Sequence, residues 1–249
     1  MTVRDGAAGR WLYLALFALA WQTLAWWLNS DRLPGPGAVV LSLWHHLTAG
    51  ELLPSVMATL RRVVLAFSLA MLFGTLLGWS MGRFRLIDTM LDGVLILGLN
   101  IPALVVIILC YIWFGLVEAA AVAAVAINKL PVVAVTVREG VRAMDRRLLE
   151  VGYAFRVPLW RRLLHIELPQ LYPYLMAAAR AGLSLIWKIV LVVELLGRSD
   201  GVGFQLGVFF QFFDITSILA YTLAFALIIY AIESLLLRPL EAHVNRWRA

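Results

Sequence analysis

Six apolar runs, near residues 11–28, 57–81, 91–115, 119–137, 172–196 and 216–237, constrain this chain more than anything else in it. Crossing about 30 Å of hydrocarbon takes roughly 20 apolar residues as helix. Backbone polar groups in lipid must be satisfied within each segment. The runs therefore predict an all-α, polytopic membrane protein with six transmembrane helices, forming one transmembrane domain over 1–249. Hydrophobic residues are 63% of the chain and charged residues 14%, against about 45–50% and about 25% in soluble domains, so a soluble fold is excluded. The first run admits a second reading as a signal peptide, because Arg4 and Arg10 precede it and Ala18-Leu19-Ala20 resembles a cleavage site. Its continuation through Trp26, Trp27 and Leu28 favours an uncleaved span.

The net charge of +6 would suggest nucleic acid if the basic residues clustered on a soluble face. They fall instead in the pieces between apolar runs. With both termini cytoplasmic, fourteen arginines lie inside, among them Arg4, Arg83, Arg138, Arg142, Arg146 and Arg238, and four lie outside: Arg32, Arg61, Arg62 and Arg198. Positive loops stay cytoplasmic, which fixes that orientation as the expectation. Arg61 and Arg62 stand near the outer end of the second run and are expected to snorkel to the headgroups. The single cysteine, Cys110, excludes an intrachain disulfide and argues against a thiolate metal site.

Several local patterns qualify the runs. Leu33-Pro34-Gly35-Pro36-Gly37 is a rigid turn, followed by an amphipathic stretch, 38–47, that reads as an interfacial helix. His45 and His46 are adjacent, about 100° apart on a helix, and so are expected at the surface rather than as joint metal ligands. Gly74, Gly78 and Gly82 are spaced for close helix packing in lipid. Asn100-Ile101-Pro102 interrupts the third run and predicts a bend, either at the solute pathway or as a packed kink. The glycine- and phenylalanine-rich stretch 197–214 reads as an outer loop that dips back or anchors at headgroups.

Charges inside spans are functional candidates because they are costly there. Lys188 and Glu194 lie six residues apart on different faces of the fifth run. Lys129 stands mid-span beside Asn128 and is expected to pair with a carboxylate such as Glu194, with solute contact or snorkelling as the alternatives. Asn100, Pro102, Lys129, Lys188 and Glu194 are thus the candidate solute-pathway residues. Arg180 and Glu233 are expected as partners within the bundle or near its cytoplasmic end.

Between the fourth and fifth runs, 138–170 is charged and amphipathic. Leu148, Leu149, Val151, Gly152 and Phe155 share one side of a helix, Val157-Pro158 breaks it, and a second helix from Pro158 is expected to end at Leu168-Pro169. This predicts a helical hairpin outside the bilayer.

The hairpin carries a resemblance. Glu150-Val151-Gly152, three residues, Arg156, nine residues and then Ile166-Glu167-Leu168-Pro169 resembles the Glu-Ala-Ala, Gly, Ile-x-Leu-Pro signature of membrane subunits of bacterial ATP-binding cassette importers. Within these, the chain is similar to the nitrate/sulfonate/taurine-type permease family. Ala58-Thr59-Leu60-Arg61-Arg62, Ile101-Pro102-Ala103-Leu104, Trp113-Phe114-Gly115 and Gly201-Val202-Gly203-Phe204 extend the likeness over about Pro34 to Glu233. Arg156 departs from the family's glycine; at positive φ it would bear about 1–2 kcal/mol of strain.

The resemblance implies an inner-membrane permease that is not itself an enzyme. No G-x-x-x-x-G-K-[ST] loop occurs in the sequence, so ATP and Mg²⁺ would be bound by a partner ATPase, two copies of it, and this chain would carry no cofactor. Glu150, Val151, Gly152, Phe155, Arg156, Leu168 and Pro169 would couple to that ATPase. A second copy of the chain would complete the pore, and an extracytoplasmic binding protein would deliver a small, anionic solute such as a sulfonate, taurine or nitrate. Two other classes compete. A membrane-embedded enzyme would use Asp88 and Asp92, one turn apart, for Mg²⁺-diphosphate, although Arg85 reads as an ion-pair partner there. A channel or secondary transporter would be favoured by an inverted repeat, and none is evident.

Overall fold

The computed structural model describes residues 3–28 and 32–237, and every regular element among them is helical. In chain order these are α1 (Val3–Leu28), α2 (Pro36–Thr48), α3 (Leu52–Arg83), α4 (Arg85–Asn100), α5 (Ala103–Phe114), α6 (Glu118–Arg142), α7 (Arg146–Ala154), α8 (Leu159–Arg162), α9 (Leu168–Gly197), α10 (Val202–Gln211) and α11 (Ile215–Ile232). Single π-helical turns, Leu163–Glu167 and Glu233–Leu237, follow α8 and α11. Arg238, Arg246 and Arg248, which weighed in the expected orientation, lie outside the described residues.

Four helices are long and apolar enough to cross a membrane: Leu52–Arg83, Glu118–Arg142, Leu159–Gly197 and Ile215–Leu235. The six expected spans therefore shrink to four among the described residues, or five if α4 and α5 count as one broken span. In α1 the apolar part, Ala15–Leu28, reaches only about 21 Å at 1.5 Å per residue. The run 91–115 is two helices bent by 101°. Pro102 has no N–H to continue the ladder and holds Ile101 extended, at φ −72° and ψ 124°. The expected bend is present and much sharper than a kink.

The centre of the bundle is α6, packed against α3 and α9. Gly74, Gly78 and Gly82 of α3 lie on it: a Cβ at Gly74 would stand 2.6 Å from Val133 Cβ, and one at Gly78 2.9 Å from Val137 Cβ. The glycine spacing thus serves helix packing. Gly140 of α6 gives Tyr174 of α9 the same close approach. Around this seam the apolar core gathers Val63, Ala66, Ile107, Val125, Ile186, Val190 and Tyr221.

Two expected boundaries are corrected. The hairpin's second arm does not end at Leu168-Pro169 but continues as one rod, Leu159–Gly197. Leu168 N–H donates five residues back to Leu163 O, and this π turn passes the chain into α9, where Pro169 sits in the first turn and needs no N–H partner. The stretch 197–214 is not an open loop; it contains α10, with Val202 and Gly203 buried.

Candidate functional site

The densest polar structure inside the spans centres on Arg62. Its side chain is 1% exposed, so it does not snorkel as expected. Nη1 donates to Glu194 Oε1 at 2.8 Å and to Asp200 O at 3.0 Å; Nε and Nη2 take Glu118 as a fork, and Nη2 also meets the Asp200 carboxylate. Glu194, wholly buried, accepts further from Thr59 Oγ1 at 2.9 Å and Gly203 N at 2.8 Å. Arg198 and Arg61 close the outer side on Glu118 at 3.2 and 3.0 Å. The local sequence explains this reach. Gly201, at φ +105°, turns the chain into α10, and a Cβ at Gly203 would stand 2.8 Å from Glu194 Cβ. Three arginines and three carboxylates from α3, α6, α9 and the turn before α10 form one neutral clamp. Of its members only Glu194 is among the pathway candidates read from the sequence; the signal for Arg62 is a charge within an apolar run.

Lys129 does not pair with Glu194. It is 2% exposed, and its Nζ is buried with no hydrogen-bond partner. Gly182 lies 3.6 Å, measured from its would-be Cβ, from Lys129 Cε, and Phe67 of α3 borders the same spot. The remaining pathway candidates are not gathered around it. Lys188, Asn100 and Pro102 are all exposed on the single chain, and Asn100 Nδ2 donates to Ile96 O at 2.7 Å.

The hairpin stands at the other end of α3. Arg83 is 21 residues beyond Arg62, about 32 Å along a helix, and its Nη2 contacts Tyr153 Oη of α7. Asp145 caps α7 by accepting from Arg147 N at 2.8 Å. Arg156 N bonds Tyr153 O and Val157 N bonds Gly152 O, each at 3.0 Å, with Arg156 at φ +50°. This is a Schellman turn, so the positive φ expected of the family's glycine is kept with an arginine in place. Glu150, Val151, Phe155 and Arg156 are exposed. Gly152 is not available to a partner, because it is buried against Ile166 Cδ1 and Arg162 Cδ, at 2.9 and 3.3 Å from a would-be Cβ. Leu168 is partly exposed at 38%.

Other candidates resolve as structure. Asp88 and Asp92 are held by α6, Asp88 by Arg138 and Arg142 and Asp92 by Arg138, rather than by Arg85. His46 is not a surface residue. It bonds Ser217 Oγ at 3.0 Å and lies beside Tyr221 and Phe209, which fixes α2 on α11, while His45 is exposed. Arg180 and Glu233 form an ion pair at 3.9 Å.

Comparison with known proteins decides what this architecture belongs to. The family described as "Binding-protein-dependent transport system inner membrane component" matches residues 70–248. The chain belongs to this family. A putative aliphatic sulfonates transport permease of Bacillus subtilis strain 168 is 26% identical over 94% of this chain and 85% of its own. The taurine transport system permease of Escherichia coli K12 is 27% identical over 86% of this chain and 74% of its own. The nitrate import permease of Synechococcus elongatus is 24% identical over 77% and 72%. Among solved structures, an amino acid ABC transporter with histidines shares the fold at a TM-score of 0.65 and 18% identity, over 81% of this chain and 97% of that one. The chain is therefore an inner-membrane permease subunit of a binding-protein-dependent ABC importer. It is not itself an ATPase, and it works with a separate ATPase and a substrate-binding protein.

Proposed function

We propose that this permease couples to its ATPase through the hairpin and carries a small anionic solute inward. The observation that carries the coupling role is the apolar surface the hairpin leaves open: Phe155 is 79% exposed, with Val151, Leu159 and Trp160 at 51, 66 and 57%. A segment beyond the span ends gains nothing from lipid for such a surface, and a groove on the ATPase would cover it, with Glu150 and Arg156 at the rim setting orientation. The arginine-rich corner of Arg83, Arg85, Arg138, Arg142, Arg146 and Arg147 supports a cytoplasmic position for this end. The Arg62 clamp would then face outward.

Two copies of the chain, each docked to one ATPase subunit, make the economical assembly. ATP draws the two ATPases together, the hairpins follow, and the rods Leu159–Gly197 carry that motion into the spans, alternating access to the pathway. For the solute, Lys129 supports an anion: a buried ammonium without a counter-charge is expensive, and a sulfonate, taurine or nitrate headgroup would supply one. The relatives that carry sulfonate, taurine and nitrate permease names point the same way.

The test is to purify the tagged chain from native membranes in mild detergent and identify what is retained. A stoichiometric Walker-type ATPase, lost in Phe155→Asp and Glu150→Arg while the permease stays monodisperse, is the expected result. Retention of the ATPase by both variants would remove the hairpin from the coupling interface.

A further inference from the structure

A cavity of about 350 Å³ lies between the hairpin and the ends of α3 and α6, and Arg83, Arg142, Arg146, Glu150, Tyr153 and Glu167 are among its walls. Its charges are unevenly matched. Glu167 is nearly buried and accepts from Arg162 Nε at 3.3 Å and Trp79 Nε1 at 3.2 Å. Arg142 is held by Asp88 and Glu139. Arg83 donates to a neutral phenol, Tyr153, and among the described residues neither it nor Arg146 has a carboxylate partner. Against these two guanidinium groups stands one carboxylate without an ion pair among the described residues, Glu150. One further negative charge would balance the cavity.

Position indicates what brings that charge. Arg83 ends α3, about 32 Å from the clamp at the opposite end, a distance close to the hydrocarbon thickness of a bilayer. Beside it in the α3–α4 corner, Phe84 and Leu86 are 50% and 73% exposed, and they offer an acyl chain an apolar bed at headgroup depth. We propose that the cavity binds the phosphate diester of an anionic phospholipid, held by Arg83 and Arg146 with Tyr153 as a third donor, while its chains lie over Phe84 and Leu86. Guanidinium groups suit this ligand because their planar fork matches two phosphate oxygens, and basic pockets at the ends of spans recognise such headgroups. Arg146 and Tyr153 belong to α7 and Arg83 to α3, so the lipid braces the hairpin against the span that leads to the clamp. This role is separate from ATPase docking, which uses the hairpin's outward apolar face.

The experiment is native mass spectrometry of the whole transporter, purified with its ATPase, after exchange into phosphatidylglycerol or phosphatidylcholine. Phosphatidylglycerol should be retained selectively, and Arg83→Gln with Arg146→Gln should weaken that retention about twenty-fivefold, from roughly fivefold per arginine. Arg85→Gln, in the same corner but outside the cavity, should leave it unchanged, and co-purification of the ATPase reports that the double variant is folded and coupled. Equal retention of both lipids, or retention that ignores the double variant, overturns the site. Displacement of the lipid by millimolar inorganic phosphate, with phosphate itself retained, overturns the lipid assignment in favour of a free anion.

Discussion

Arg62 and Lys129 are both cations buried inside spans, and their surroundings give them opposite meanings. Arg62 meets three carboxylates through one rigid fork. Arg62→Ala leaves Glu194 and Glu118 without their principal counter-charge, and breaking a buried pair costs about 3–5 kcal/mol. Thermal unfolding in detergent should show that loss, and Arg62→Lys should not restore it, because an ammonium cannot span three partners at once. Lys129 has no partner to lose. Lys129→Met should therefore raise the unfolding temperature while uptake of an anionic solute falls at least about tenfold, a single lost charge contact of roughly 1.4 kcal/mol or more. A variant that loses stability and transport together would make Lys129 a structural residue. The sequence revealed that both cations lie in apolar runs, but not which of them is matched. Glu118 and Asp200 flank spans far along the chain from Arg62, and pairing over 56 and 138 residues is a property of the packed bundle.

Elements were legible where one local rule governed them. The glycines of α3 announced the seam with α6, and the Val157-Pro158 break announced the hairpin's turn. Gly78 tests the seam. Gly78→Leu should destabilise the protein by at least about 1–3 kcal/mol from overpacking, because its Cβ would run into α6 near Ala134 and Val137. Gly93→Leu is the matched control, since nothing lies within 4 Å of a Cβ there. Comparable unfolding temperatures for the two variants would mean that α3 and α6 do not meet as described. Where two local rules competed, the sequence misled. Leu168-Pro169 has the form of a helix stop, yet a π turn absorbs the missing donor and lets the rod run on from Leu159 to Gly197. The glycines and phenylalanines of 197–214 have the composition of a loop, yet burial of Val202 and the hydrogen bonds of Gly203 and Val202 to Glu194 and Thr59 order them into α10. Whether 91–115 crosses once or returns depends on the 101° turn at Pro102, whose size no sequence rule sets.

In the two-copy assembly proposed above, the exposed surface of a single chain would be divided among lipid, the second copy and water. Lys188 is the sharpest probe of that division, because it is a charge within α9, nine residues before its end at Gly197, that is exposed on the isolated chain. A lysine facing hydrocarbon inside a span is costly, about 2.5–3.5 kcal/mol at its centre on insertion scales, whereas one facing an aqueous pathway between two copies costs little. The only native cysteine, Cys110, is buried, so labelling background is low and Cys110→Ala removes it. In that background Lys188→Cys should react with a membrane-impermeant thiol reagent, and its rate should change when ATP analogues shift the transporter between states. Leu223→Cys, on α11 and 37% exposed at an apolar site, supplies the comparison for a lipid-facing position. If Lys188→Cys stays as unreactive as Leu223→Cys in every nucleotide state, α9 presents that face to lipid. The pathway would then have to be sought around Lys129 of α6, which meets the buried side of α9 at Gly182.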